Sequence, residues 1–326
     1  LQDAPITGRR AAVAGLLLAA AAIQREVGLF ALPVVVVYLV WARVGWRPLI
    51  AFVLVAALPL GGYAALIDAK TGVFGLTATS GWTIYGRVAG FADCGGAAIA
   101  PDARGLCETP AQRASHPRAP DWYIWAAGSP AIRLFHRGQQ TRAQRARSNA
   151  ILGSFARRII VAAPGAFAAA IAGDFVRYFT PGATPYADAV SATSLPRAAS
   201  DETVDQGIRR RVVPGAHATV QAPASIVRAY RAVVHVPRPV LAALAFATLI
   251  GLALRVYLRR ELLLFGGTAL VLLLGTSATG GFGLRYLLPA VPLLAIGGVL
   301  AGRDLAAALR TPAPLRVRAA GRVGRL

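Results

Sequence analysis

Six apolar stretches, three on either side of a long polar middle, constrain this chain more than any motif in it. They cover residues 11–23, 27–40, 49–67, 239–256, 262–278 and 284–301. Several approach the ~20 apolar residues that a helix needs to cross a hydrocarbon core ~30 Å thick, and few carry an interior charge. The pattern predicts a mainly α protein, a polytopic transmembrane helical bundle of six spans with a large outer loop domain. Its parts are three N-terminal spans (1–70), an extracytoplasmic domain (71–238), three C-terminal spans (239–302) and a basic tail (303–326).

Composition agrees with a membrane protein: 56% of the residues are hydrophobic and the mean hydropathy is +0.54. The formal net charge of +21 would fit nucleic acid if it were clustered on one face. Arg supplies nearly all of it, with Lys70 the one lysine, and it is spread along the whole chain. We read it as the solvated flanks of membrane spans, so nucleic acid is not an expected partner. The chain opens at Leu1 and contains no Met, and we expect a piece of a longer protein. Arg9-Arg10 before residues 11–23 also resembles a signal peptide, a reading disfavoured because further spans follow at once.

Arginines set the expected topology. Arg9 and Arg10, then Arg43 and Arg47, then Arg255, Arg259 and Arg260, then the arginines after Gly302 all flank one set of span ends. The opposite short connections hold only Arg25-Glu26 and the uncharged residues 278–283. Short basic loops stay cytoplasmic, which places both ends of this chain inside a cell membrane and residues 70–238 outside. Loops longer than ~60 residues escape the rule, so the arginines of the middle do not oppose this. Cys94 and Cys107 both fall in the outer segment, where a close pair in an oxidising compartment forms a disulfide more often than it stays as two thiols. His116, His136, His217 and His235 are too scattered for a metal set, so no metal site is expected, although a divalent cation is left open.

Within the middle, Trp82, Tyr85 and Phe91 have the character of interfacial aromatics. Residues 101–130, with five prolines, are expected to be mostly irregular. Residues 143–179 read as a helix broken at Pro164, with Ile151, Phe155, Ile159 and Ile160 at helical spacing beside Arg157 and Arg158. Such a helix either lies along the membrane surface or packs inside the outer domain. Residues 181–223 read as polar loop, and 225–236 as the return to the membrane.

Two places put charge where charge is costly: Gln24-Arg25-Glu26 between two apolar stretches, and Arg285-Tyr286 at the outer start of the sixth. Both arginines lie on one predicted face, and the planar fork of Arg suits phosphate. The competing reading is that Arg25 pairs with Glu26 while Arg285 snorkels to headgroups. Gly280-Gly281-Phe282-Gly283 lacks the preceding strand of a nucleotide loop and reads as a tight turn. Asp68, Asp93 and Asp174 are carboxylates near the outer face, but spacing singles out none as a catalytic base.

The segment AIQREVGLFALP (22–33) resembles the "Arg, then Gly-Leu, then Leu-Pro" span of polytopic glycosyltransferases that use polyprenyl-phosphate sugars. FGLRYLLPAVPLL (282–294) resembles the "Arg-Tyr, then Pro, then Pro" span late in the same proteins. YGRVAGFADC with GLC, inside residues 82–107, is similar to the outer loop of actinobacterial members. The group is the GT-C fold, including the family 39-like enzymes. The resemblance implies sugar transfer from a lipid phosphate donor to a cell-envelope acceptor, with Arg25, Arg285 and Tyr286 at the donor phosphate. It also implies an acidic catalytic base in a first outer loop, which we expect to precede this chain. Two other classes compete: a transporter, for which three spans plus three of opposite orientation is the topology, and a non-catalytic membrane scaffold. The triplets share no evident sequence pattern, and their spans lack the buried ionisable groups that coupling favours.

Overall fold

The computed structural model describes residues 6–136, 140–181, 237–254 and 259–310, and these form a mainly helical protein. Helix α1 (Gly8–Gln24) starts at Thr7, whose side chain accepts from the Arg10 amide at 3.4 Å. It stops where Arg25 turns extended, and a 3₁₀ turn (Glu26–Phe30) leads into α2 (Ala31–Trp41). Helix α3 (Trp46–Thr71) carries Pro59 and ends on Gly72, whose φ of +75° provides the left-handed cap that other residues resist. Helices α1 and α3 pack closely because Gly15 presents no side chain: a Cβ there would lie 2.5 Å from the Phe52 carbonyl oxygen.

The middle of the chain folds on its own core. Helices α4 (Ser80–Ala89), α5 (Pro110–Ala114), α6 (Pro120–Trp125), α7 (Pro130–Phe135) and α8 (Arg142–Ala162) gather with a 3₁₀ turn at Pro101–Leu106. Trp82, Tyr85, Tyr123, Leu152, Phe155 and Ile159 are its large buried side chains. Two sequence expectations are corrected here. The proline-rich residues 101–130 are largely helical turns, because nearly every one of these short elements opens with proline at its first position, where the missing N–H has no intrahelical partner to lose. Trp82 and Tyr85 are not interfacial aromatics, since helical spacing on α4 points both into this core. Cys94 and Cys107 are joined by a disulfide, as expected.

Helix α8 uses Leu152, Phe155 and Ile159 to pack inside the domain, the packing that one of the two readings of this segment expects. Pro164 ends it, and α9 (Pro164–Arg177) leaves at an angle of 101°. Helices α10 (Arg238–Ala253), α11 (Arg259–Thr279) and α12 (Leu287–Arg310) complete the described chain. Helix α11 contains a π turn at Leu263–Gly267, and at Gly297 of α12 a Cβ would lie 2.6 Å from the Gly266 Cα.

All six apolar stretches are helical where described, but among the described residues only α3, α11 and α12 are long and apolar enough to cross a membrane, or four candidates if the bent α8–α9 pair is one span. The remaining three fall short for local reasons. Helix α1 has 17 residues and α10 has 16, about 25 Å at 1.5 Å per residue, and the 3₁₀ turn shortens α2 to 11. The readings on 181–223 and 225–236, and that of a tail beyond Arg310, lie outside the described residues apart from Pro181.

Candidate functional site

The break after α1 and the turn after α11 meet. Gly28 allows the first, because its α-carbon folds back so tightly that a Cβ would lie 2.8 Å from the Ala22 backbone. Gly281 allows the second: its φ is +82°, and its amide and that of Gly280 both donate to the Thr276 carbonyl, at 2.9 and 2.8 Å. This is the tight turn expected at residues 280–283. A 3₁₀ turn (Leu284–Tyr286) follows and carries Arg285 and Tyr286.

The three residues singled out for a phosphate come together there. The Arg25 guanidinium donates to the Arg285 carbonyl at 3.2 Å. Arg285 donates through Nη2 to the Tyr286 hydroxyl at 3.1 Å. Both guanidinium groups face the Tyr286 ring, at 5.6 Å for Arg25 and 5.0 Å for Arg285. The alternative pairing of Arg25 with Glu26 is not formed among the described residues. Two cations thus share one small surface, and a bound anion would relieve their repulsion.

Directly beside this cluster lies a groove of about 510 Å³, between the α1–α2 break and helices α11 and α12. Leu18, Val27, Val35, Leu264, Leu272 and Leu293 give it an apolar lining, while Gln24, Arg25 and Tyr286 stand at its polar end. The π turn of α11 contributes Leu264 and Phe265 to this wall, a place where such turns often build sites.

Two carboxylates lie in the field of Arg285, those of Glu26 and Asp121. Asp121 stands in the first turn of α6, after Pro120, and Pro120 abuts Gly281: a Cβ on that glycine would lie 3.1 Å from the proline ring. Burial pushes the Asp121 carboxyl above its ordinary range, and the Arg285 charge opposes this. Sequence reasoning missed Asp121, because its only local mark is the Pro-Asp start of a helix. The three carboxylates it did consider behave differently. Asp174 is buried in an ion pair with Arg87 and lies 3.7 Å from Arg177. Asp93 accepts the Gly95 amide at 3.0 Å, and Asp68 accepts from Arg142 through its main-chain carbonyl.

Elsewhere in the central domain, His116 stacks on Trp122 at 3.5 Å and meets Glu108 at 2.8 Å, while the Tyr123 hydroxyl donates to the same carboxylate. This cluster ties α6 to the disulfide-linked segment. Among the described residues no group of three His, Cys, Asp or Glu side chains is placed to hold a metal ion. Compared with family models, with characterised proteins and with solved structures, the chain matches none of them.

Proposed function

We propose that this protein is an integral membrane glycosyltransferase that takes a sugar from a polyprenyl-phosphate donor and passes it to an extracytoplasmic acceptor. The observation that carries the reading is the meeting of Arg25, Arg285 and Tyr286 beside an apolar groove that Arg25 and Tyr286 help to line. A polyprenyl phosphate has the same two-part chemistry, a long hydrocarbon with an anion at one end. The motif resemblance of residues 22–33 and 282–294 to the GT-C family supports it independently. The alternating arginines of the sequence support an outer-face position for this end of the groove.

In this reading the prenyl chain lies in the groove and the two guanidinium groups hold the phosphate. The acceptor hydroxyl attacks the anomeric carbon, forming the new C–O bond as the bond from that carbon to the phosphate oxygen breaks. The leaving prenyl phosphate takes the electron pair, and the arginines hold its added charge. The hydroxyl proton goes to a carboxylate: the resemblance expects one ahead of these residues, and within them we assign the role to Asp121, half-buried and in the field of Arg285.

The test is transfer of labelled sugar from polyprenyl-phosphate donors by the purified protein. Arg285→Ala is expected to lower the rate about 30- to 1000-fold, the equivalent of ~2–4 kcal/mol for a charge-assisted contact aimed at developing charge. Arg285→Lys recovers only part, because an ammonium lacks the fork. Wild-type rates in Arg285→Ala remove the phosphate role. No transfer by the wild type, with solute flux in liposomes, supports a transporter instead.

A further inference from the structure

Helix α8 buries one face in the core and leaves another over an open cleft. Gln144, Arg147, Ile151, Ser154 and Arg158 recur at helical spacing along that second face. They line two hollows of about 450 and 240 Å³ that meet at Asp102 and Ile151, with residues 99–103 and 134–136 as the facing walls. From Gln144 to Arg158 the cleft follows the helix for about 21 Å at 1.5 Å per residue. It shares no residue with the apolar groove.

Three of its polar side chains stand open. Asp102, His136 and Arg147 are exposed, and their side chains have no partner among the described residues. The Arg158 side chain is anchored by a hydrogen bond to the Ala98 carbonyl. Phe135 and Ile151, both partly exposed, supply apolar strips between these polar groups. Around the cleft, residues 71–181 hold twelve arginines against five acidic residues.

We infer that this cleft binds an extended carbohydrate chain bearing anionic groups. The apolar strips suit the C–H faces of sugar rings, and Asp102 suits hydroxyls. Arg147 and Arg158, one near each end, suit carboxylate or phosphate groups repeated along a chain. An elongated, open shape favours a chain over a compact ligand. This inference stands apart from sugar transfer, because binding is read without donor or turnover. Where transfer does occur, a chain held here identifies the acceptor class.

The experiment is calorimetric titration of the purified full chain in detergent with four probes of equal length. These are an oligogalacturonate, a neutral maltooligosaccharide, a phosphate-bearing glycerol–sugar oligomer and oligoglutamate. At least one anionic carbohydrate is expected to bind ten or more times tighter than the neutral one, and to weaken as salt rises. Arg147→Ser, which removes an exposed side chain, should weaken that binding about tenfold, the equivalent of losing ~1.4 kcal/mol of charge-assisted contact. Ser154→Trp, which fills the cleft, should abolish it, and Arg285→Ala should leave it unchanged. Circular dichroism and size exclusion confirm that each variant is folded. The inference is overturned if neither anionic carbohydrate binds, if the neutral chain binds as well, or if oligoglutamate binds more tightly. It is also overturned if both cleft variants bind as wild type. Failure of Arg285→Ala to reduce transfer would leave it untouched.

Discussion

The ion pair between Arg87 on α4 and Asp174 on α9 fastens the central domain to the helix that leaves it, and removing either partner should be costly. Both side chains are 3% exposed. Breaking such a pair one-sidedly costs about 3–5 kcal/mol, because a buried charge is left without its counterion. The two single variants are not equivalent. In Arg87→Met, Asp174 keeps a second cation, Arg177, at 3.7 Å. In Asp174→Leu, the Arg87 guanidinium stays charged, with Nε and Nη2 already buried and unpartnered among the described residues. Arg87→Met therefore falls at the lower end, about 3 kcal/mol or a little over a hundredfold in the folding equilibrium, and Asp174→Leu at the upper end, about 5 kcal/mol. The double variant Arg87→Met/Asp174→Leu removes both charges and should cost less than either single change. Denaturant titration in mixed micelles, followed by the fluorescence of Trp82 and its neighbours, reads all three. Costs that add in the double variant, or a loss below about 1 kcal/mol for Asp174→Leu, would refute the argument.

Two further predictions concern the central domain. Protein taken from its membrane without reductant should yield one cross-linked peptide pair through Cys94 and Cys107 in non-reducing mass spectrometry; free thiols on both would argue against an extracytoplasmic domain. The pH dependence of sugar transfer tests Asp121. Its folded carboxyl is shifted upward by burial, so the stability it contributes is present below the ordinary Asp value of about 3.9 and is lost as pH rises through the folded value. A base must be ionised, so the acid limb of the rate profile should lie above that ordinary value. Asp121→Asn should remove the limb and lower the rate roughly 10²- to 10⁴-fold, whereas an unchanged limb would exclude Asp121 as its source.

What could be read from the sequence was local or chemical. Hydropathy located all six apolar helices, and Pro164 marked the bend between α8 and α9 because a proline's effect acts on its own turn. Arg25 and Arg285 were recognisable because charge among apolar residues is conspicuous wherever it falls, and the fold brings them together across 260 positions. The contacts that escaped depend on distant partners. Nothing near Arg87 announces Asp174, and nothing near Asp121 announces Arg285. Trp82 looked interfacial because a tryptophan carries the same sequence signal whether its surroundings are lipid headgroups or Leu152 and Phe155. Helix lengths also escaped, since the 3₁₀ turn at Glu26–Phe30 depends on backbone approach at Gly28.

The glycines at helix contacts divide the membrane-type helices into two stiff panels. Gly15 locks α1 to α3, while Gly266 and Gly297 lock α11 to α12 and leave no room for sliding. Between the panels the joint is thinner: Val27, Ala31 and Leu272 form its small buried core, and the Phe30 ring lies flush on Gly275. The apolar groove runs along this joint and is walled by both panels. Whatever fills it acts as a shim, bracing one panel against the other and setting the spacing between the arginine that each contributes.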